Sequence, residues 1–143
     1  MVKARPDYPV VNVTWKDAAT YCLRLSQETK RAYRLPTEAE WELAASEGSP
    51  HRTYPWHDGD DPKRHACFGG KDLCRVGSHR PNDLGLYDMA GNAAEWVKGK
   101  DGKPAAKGGS WATSPENVRD LAIAHSDGKP SSYEVGFRVV LEP

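Results

Sequence analysis

The sequence predicts one loop-rich domain that mixes helices with short strands, and three observations predict it. At 143 residues the chain is long enough for one domain with a real core. Two segments begin with helix-capping residues and continue with apolar residues at helical spacing. The 13 glycines and 11 prolines interrupt regular structure, while five tryptophans can anchor irregular segments. We therefore expect a single domain over residues 1–143.

The first elements are a strand and a helix. "YPVVNV" (8–13) is apolar and β-branched, which favours a short strand. In "TWKDAATYCLRLSQETK", Thr14 is the expected N-cap and Asp17, three residues on, forms a variant capping box. The buried face of this helix is predicted to contain Ala18, Tyr21, Cys22 and Leu25.

"TEAEWELAASEG" predicts a second helix with stronger signals. Thr37 and Glu40 form a full capping box, and Gly48 suits a left-handed C-cap. Its apolar stripe is Trp41, Ala44 and Ala45. Residues 49–81 are then expected to be irregular, with "TYPW" as an aromatic anchor, and "FRVVL" near the end to be a buried final strand.

Charge and hydropathy exclude several functions. Acidic and basic residues balance at 20 each, so no overall field recruits nucleic acid or an anionic membrane. No apolar run approaches the roughly 20 residues of a membrane span. "MVKARPDYPVV" lacks the apolar core of a signal peptide, so the compartment stays open.

The three cysteines have different expected roles. Cys22 lies on the buried helix face and is expected to be a small core residue. Cys67 and Cys74 could close a short disulfide loop, which would favour an oxidising compartment, or could remain two free thiols. Zinc is not expected, because no second cysteine or histidine pair has ligand spacing.

The order of the motifs along the chain resembles one known family. "PVVNVTWKDAATYC", "RLPTEAEWELAA", "YPW", "VGSHRPNDLGLYDMAGNAAEW", "GGSW" and "GFRVV" follow each other as in the formylglycine-generating enzyme (sulfatase-modifying factor) family. The resemblance implies an α+β, variant C-type-lectin-like fold with two helices around small antiparallel sheets. The family's domain normally starts well before "PVVNV", so its N-terminal portion is expected to be absent or supplied by a partner chain. In the second case, exposed apolar surface on this chain would mark the place where the partner binds.

The resemblance also implies a structural calcium site in "DMAGNAAE". The implied ligands are the Asp88 and Glu95 side chains and the Gly91 and Ala93 carbonyls. Calcium prefers such hard oxygen donors. The alternative is that both carboxylates only cap the bend through backbone N–H groups. The family's second calcium site is not expected, because Cys67 stands where an asparagine ligand belongs.

The resemblance places the enzyme's two copper-binding cysteines shortly after "GGSW", where this chain has Thr113 and Val118. Neither side chain offers the soft sulfur that selects Cu(I), so no copper is expected. The family's oxidase activity is therefore not predicted. His125 and Asp127 could support other acid–base chemistry, but no spacing forces them together.

Recognition is the function that remains. The segment 108–136 carries residue types that dominate binding interfaces, and it matches the segment varied in the ligand-binding proteins of diversity-generating retroelements, which resemble the same fold. The candidate ligand-binding residues are Trp111, Thr113, Asn117, Arg119, His125, Ser131, Ser132 and Tyr133. We expect a non-catalytic, calcium-stabilised domain that binds a protein or small ligand. The alternatives are an enzyme with altered chemistry and a structural subunit completed by a partner chain.

Overall fold

The computed structural model describes residues 5–49, 54, 56–57, 59–114 and 133–143. Its helices are α1 (Trp15–Thr29) and α2 (Glu38–Ala45), followed by a 3-10 turn at Pro62–Arg64. The strands are β1 (Tyr33–Arg34), β2 (Ala94–Lys98), β3 (Pro104–Lys107), β4 (Val135–Gly136) and β5 (Val140–Leu141).

The strands form two small sheets. In the larger one β2 is central, with β3 antiparallel on one side and β4 parallel on the other. The smaller sheet pairs β1 with β5, the element that follows β4 closely in sequence. The predicted α+β arrangement of two helices around small sheets is confirmed, although one of the three strand pairings is parallel.

Both helices begin where their caps predict. The Thr14 hydroxyl accepts the Asp17 N–H at 3.0 Å, and the Asp17 carboxylate accepts the Thr14 N–H at 2.9 Å. Thr37 and Glu40 exchange the same two bonds at 3.2 and 2.9 Å. These bonds satisfy N–H groups that a helix start leaves without intrahelical partners.

The main core lies between α1 and the larger sheet. Ala18 and Cys22 of α1 are buried against Trp96, which is fully enclosed. Tyr21 was predicted to share this face, but it is 51% exposed and packs its ring edge-on against Phe137 at 5.4 Å between centroids. Helical spacing placed Tyr21 at the margin of the buried face, where part of its large ring stays exposed to solvent.

Two smaller clusters flank this core. One joins Trp41 of α2 to Met89 and Val97. The other surrounds Trp56, whose ring stacks on Tyr54 at 4.9 Å. The predicted aromatic anchor in "TYPW" is confirmed for these two rings.

Two local predictions were wrong, and the predicted final strand was correct only in part. Residues 8–13 form no strand, because Pro9 has no N–H and Asn12 adopts φ 58°. In "FRVVL" only Val140 and Leu141 are in a strand, and α2 ends at Ala45, three residues before Gly48. Gly48 does adopt a left-handed φ of 75°.

The cysteines resolve into one disulfide and one thiol. Cys67 and Cys74 are bonded, and Cys22 is free and buried. Desolvation by burial raises the pKa of the Cys22 thiol. In the described part of the chain, no helix has the length and apolar character needed to cross a bilayer.

Candidate functional site

The bend at residues 85–95 leads into β2 and takes its shape from left-handed backbone positions. Asp88 (φ 56°), Gly91 (φ 70°) and Asn92 (φ 61°) all lie in that region. Asp and Asn tolerate it better than most residues. Glycine is required at position 91, because an added Cβ would lie 2.2 Å from the Cys67 carbonyl oxygen.

Asn92 holds the bend against the disulfide loop. Its N–H donates to the Cys67 carbonyl at 2.7 Å, and its side-chain oxygen accepts the Cys74 N–H at 3.0 Å. Its own carbonyl accepts the Trp111 N–H at 2.8 Å. A single buried asparagine therefore connects the bend, both bridged cysteines and the start of the C-terminal segment.

The Glu95 carboxylate is buried and heavily bonded. Trp41 Nε1 of α2 donates to Oε2 at 2.7 Å. The Arg138 guanidinium binds the same carboxylate with two bonds, Nε to Oε2 at 2.6 Å and Nη2 to Oε1 at 2.7 Å. Bidentate pairs of this kind are strong and fix orientation.

Arg138 is a site residue that the sequence interpretation missed. Its Nη2 also donates to the carbonyls of Tyr87 and Asp88, at 2.9 and 3.3 Å. Burial would lower the pKa of Arg138, but Coulombic attraction and hydrogen bonding from Glu95, with the charge of Asp88, leave that pKa raised. The available signal was a lone arginine in the otherwise apolar "GFRVV".

Asp88 has one satisfied and one unsatisfied oxygen. Oδ2 accepts the Gly77 N–H at 2.8 Å, a backbone group outside the bend. Oδ1 is buried and has no hydrogen-bond partner among the described residues. A buried carboxylate oxygen without a donor is costly unless a cation or water completes it.

The predicted calcium ligands differ in how far they are already occupied. Asp88 Oδ1 has no hydrogen-bond partner among the described residues, which leaves it available to a cation or to water. Both oxygens of Glu95 are bonded to the Arg138 guanidinium. No described group of three His, Cys, Asp or Glu side chains could hold a metal. Calcium needs six to eight oxygens, so a site here would depend on carbonyls, such as those predicted for Gly91 and Ala93, and on water.

A pocket of about 490 Å³ opens beside this bend. Its charged residues are Asp88, Glu95 and Arg138, and its apolar walls include Val76 and Tyr87, which are 54% and 45% exposed. Apolar walls around a few convergent charges are typical of ligand sites. Exposed apolar surface of this kind is what the sequence analysis expected where a partner chain would bind. The partner chain itself stays a prediction.

The described ends of the segment 108–136 are tied to each other. Ser110 Oγ donates to Glu134 Oε2 at 2.6 Å, and Trp111 Nε1 donates to the Tyr133 carbonyl at 3.3 Å. Trp111 and Tyr133 are thus brought together, with the Tyr133 ring 45% exposed. The predicted ligand-binding residues that lie outside the described residues are Asn117, Arg119, His125, Ser131 and Ser132.

The sulfatase-modifying factor enzyme 1-like domain profile matches residues 1–143. The chain belongs to this family. It is similar to the inactive Cα-formylglycine-generating enzyme 2 of Bos taurus, 32% identical over 160 positions covering 96% of this chain and 51% of that protein. It is also similar to the formylglycine-generating enzyme of Thermomonospora curvata, 39% identical over 107 positions covering 64% of this chain and 33% of that protein.

A solved structure supports the same fold for this sulfatase-modifying factor domain. Treponema denticola variable protein 1 has a TM-score of 0.85 at 25% identity, covering 99% of this chain and 74% of that one. The chain spans about half of the Bos taurus relative and a third of the Thermomonospora curvata enzyme.

In this sulfatase-modifying factor domain, Thr113 stands at one of the two positions expected to supply a copper thiolate, and it forms hydrogen bonds with backbone groups instead. Thr113 Oγ1 accepts the Ser110 N–H at 2.9 Å, and its carbonyl accepts the Gly69 N–H at 3.0 Å. Val118, the second such position, lies outside the described residues. Thr113 therefore acts here as part of the turn that follows "GGS".

Proposed function

We propose that this chain is a non-catalytic recognition domain, stabilised by calcium at the bend 85–95, which binds a protein or small ligand through its segment 108–136. The observation that carries the proposal is the state of the cysteines. Two of the three are joined in a disulfide, and the third, Cys22, is buried in α1.

The oxidase chemistry associated with this family needs a pair of thiolates on one copper ion. With Cys67 and Cys74 bridged, this chain has a single thiol, and burial raises the pKa of that thiol. Soft sulfur donors are what select Cu(I). The residues of this chain therefore lack the donor pair that such chemistry uses.

The relatives support a non-catalytic role. One is named an inactive formylglycine-generating enzyme, and one solved structure is named a variable protein. In this chain Trp111 and the exposed Tyr133 stand at the two ends of the segment 108–136, and both residue types contribute strongly to interfaces. Anchored ends of this kind suit recognition, because binding residues are often carried on segments that a rigid scaffold positions.

Anaerobic Cu(I) titration of the purified protein tests the non-catalytic part. We expect no stoichiometric Cu(I) binding and no oxygen consumption with a cysteine-containing peptide. The double variant Thr113→Cys/Val118→Cys restores both sulfur donors and is the matched comparison, expected to gain one equivalent of Cu(I). Stoichiometric copper and peptide oxidation by the unmodified protein would overturn the proposal.

Recognition is tested with an NMR screen of a defined mixture of metabolites and short peptides. We expect at least one compound to shift amide signals within residues 108–136, and Tyr133→Ala to weaken its binding. Tyr21→Ala is the matched control, because Tyr21 is similarly exposed but lies on α1. Compounds that perturb only other surfaces would contradict the assignment of this segment.

Asp88→Asn is expected to reduce the stabilisation that calcium gives. The amide keeps an oxygen for the Gly77 N–H but removes the charge on the oxygen that lacks a partner. A ligand at 100 times its Kd stabilises the native state by about 2.7 kcal/mol. Thermal unfolding with calcium and with chelator measures the effect. Asp101→Asn is the control, and an unmodified protein insensitive to chelator would disprove calcium binding.

A further inference from the structure

A second pocket, of about 690 Å³, is lined by basic side chains and no carboxylates. Four of its eight lining residues are basic, and Tyr87 provides an exposed aromatic wall. The lining residues are Lys63, Arg64, Gly77, Ser78, His79, Arg80, Pro81 and Tyr87. None of the four basic residues belongs to the segment 108–136 or to the predicted calcium ligands.

Backbone contacts hold the two basic segments together. Lys63 and Arg64 lie in the 3-10 turn, and the Arg80 N–H donates to the Arg64 carbonyl at 2.9 Å. The loop that carries Arg80 is fixed at its start, where the Gly77 N–H donates to Asp88. The positive charges are therefore brought together by the main chain rather than by chance proximity of mobile side chains.

Within the part of the chain that the structure describes, Lys63, Arg64 and Arg80 form no ion pair, whereas Arg5, Arg34 and Arg138 all do. Asp61, the acidic neighbour of the turn, uses its side chain to cap the turn by accepting the Lys63 N–H at 3.1 Å. The side chains that line the pocket therefore include several basic groups and no carboxylate, which favours the approach of an anion.

We propose that this pocket binds a small ligand that carries a multiply charged oxyanion, a phosphate or polycarboxylate group. Two guanidinium groups offer planar forks that match the oxygens of either group. Lys63 adds a third positive charge, and the Tyr87 ring gives a flat apolar surface for the rest of the ligand. This site extends the proposed function and does not depend on it.

Isothermal titration at low ionic strength, where charges are least screened, tests the site. Pyrophosphate and citrate are titrated separately, which distinguishes a phosphate from a carboxylate ligand. We expect saturable binding of one of them with a Kd below about 1 mM, and the variant Arg64→Gln/Arg80→Gln to weaken it at least about tenfold. Arg24→Gln, an exposed arginine on α1, should leave the affinity unchanged.

NMR on the unmodified protein gives an independent measurement if the double variant folds poorly. The titrated anion should shift amide signals in residues 62–65 and 77–81. Binding of neither anion, shifts confined to other regions, or affinity that survives in a folded double variant would each overturn the proposal.

Discussion

Replacing Arg138 by alanine is expected to lower the free energy of unfolding by about 3 kcal/mol. Glu95 would keep a carboxylate that is 10% exposed and lose both guanidinium bonds. Removing one partner of a buried pair is costly because the other charge stays buried and unpaired. Urea unfolding with an unchanged m-value measures the loss.

The matched control for this variant is Arg5→Ala. The Arg5–Asp72 pair has a similar length, 3.0 Å, but its side chains are 38% and 55% exposed. Exposed ion pairs are screened by solvent and contribute little to stability. We also expect Arg138→Lys to recover only part of the stability, because an ammonium group cannot reproduce the two-bond contact. Equal losses for Arg138→Ala and Arg5→Ala would contradict the structural role given to Arg138.

The second large effect is expected for Gly91→Ala, which should cost about 3 kcal/mol. Two penalties add at this position. The left-handed backbone costs a residue with a side chain about 1–2 kcal/mol, and overpacking adds about 1–3 kcal/mol. The added Cβ would approach the Cys67 carbonyl carbon to 2.9 Å and its oxygen to 2.2 Å, and both are backbone atoms held by the disulfide loop.

Gly85→Ala separates these two penalties. Gly85 also has a positive φ, 77°, but an added Cβ there meets nothing within 4 Å. Only the backbone penalty of about 1–2 kcal/mol should remain. Thermal unfolding of both variants gives the comparison. If the two substitutions cost the same, the close approach between Gly91 and Cys67 is not a source of the strain.

The elements with local signals were predictable from sequence. Thr14 with Asp17, and Thr37 with Glu40, form both helix starts through contacts only three residues apart. The motif order indicated the family and the α+β fold. Residues 8–13 were mispredicted because Pro9 and the left-handed Asn12 interrupt extended structure. Tyr21 was mispredicted because its environment depends on Phe137, which is more than a hundred residues away.

The candidate site was predictable only in part, for the same reason. Asp88, Gly91, Ala93 and Glu95 share one bend, so a local motif places them, while their binding of calcium stays a prediction. Arg138 lies 43 residues from Glu95, and no spacing rule connects the two. The basic pocket likewise needs the contact between Arg80 and Arg64, which the sequence alone does not reveal.

The two ends of the segment 108–136 are fixed by Ser110 with Glu134 and by Trp111 with Tyr133. The main-chain carbonyl of Glu134 also accepts the Ala94 N–H at 2.8 Å. Ala94 lies in β2, two residues before the fully enclosed Trp96. Both ends of the segment 108–136 are therefore anchored to the central strand β2 by contacts among described residues.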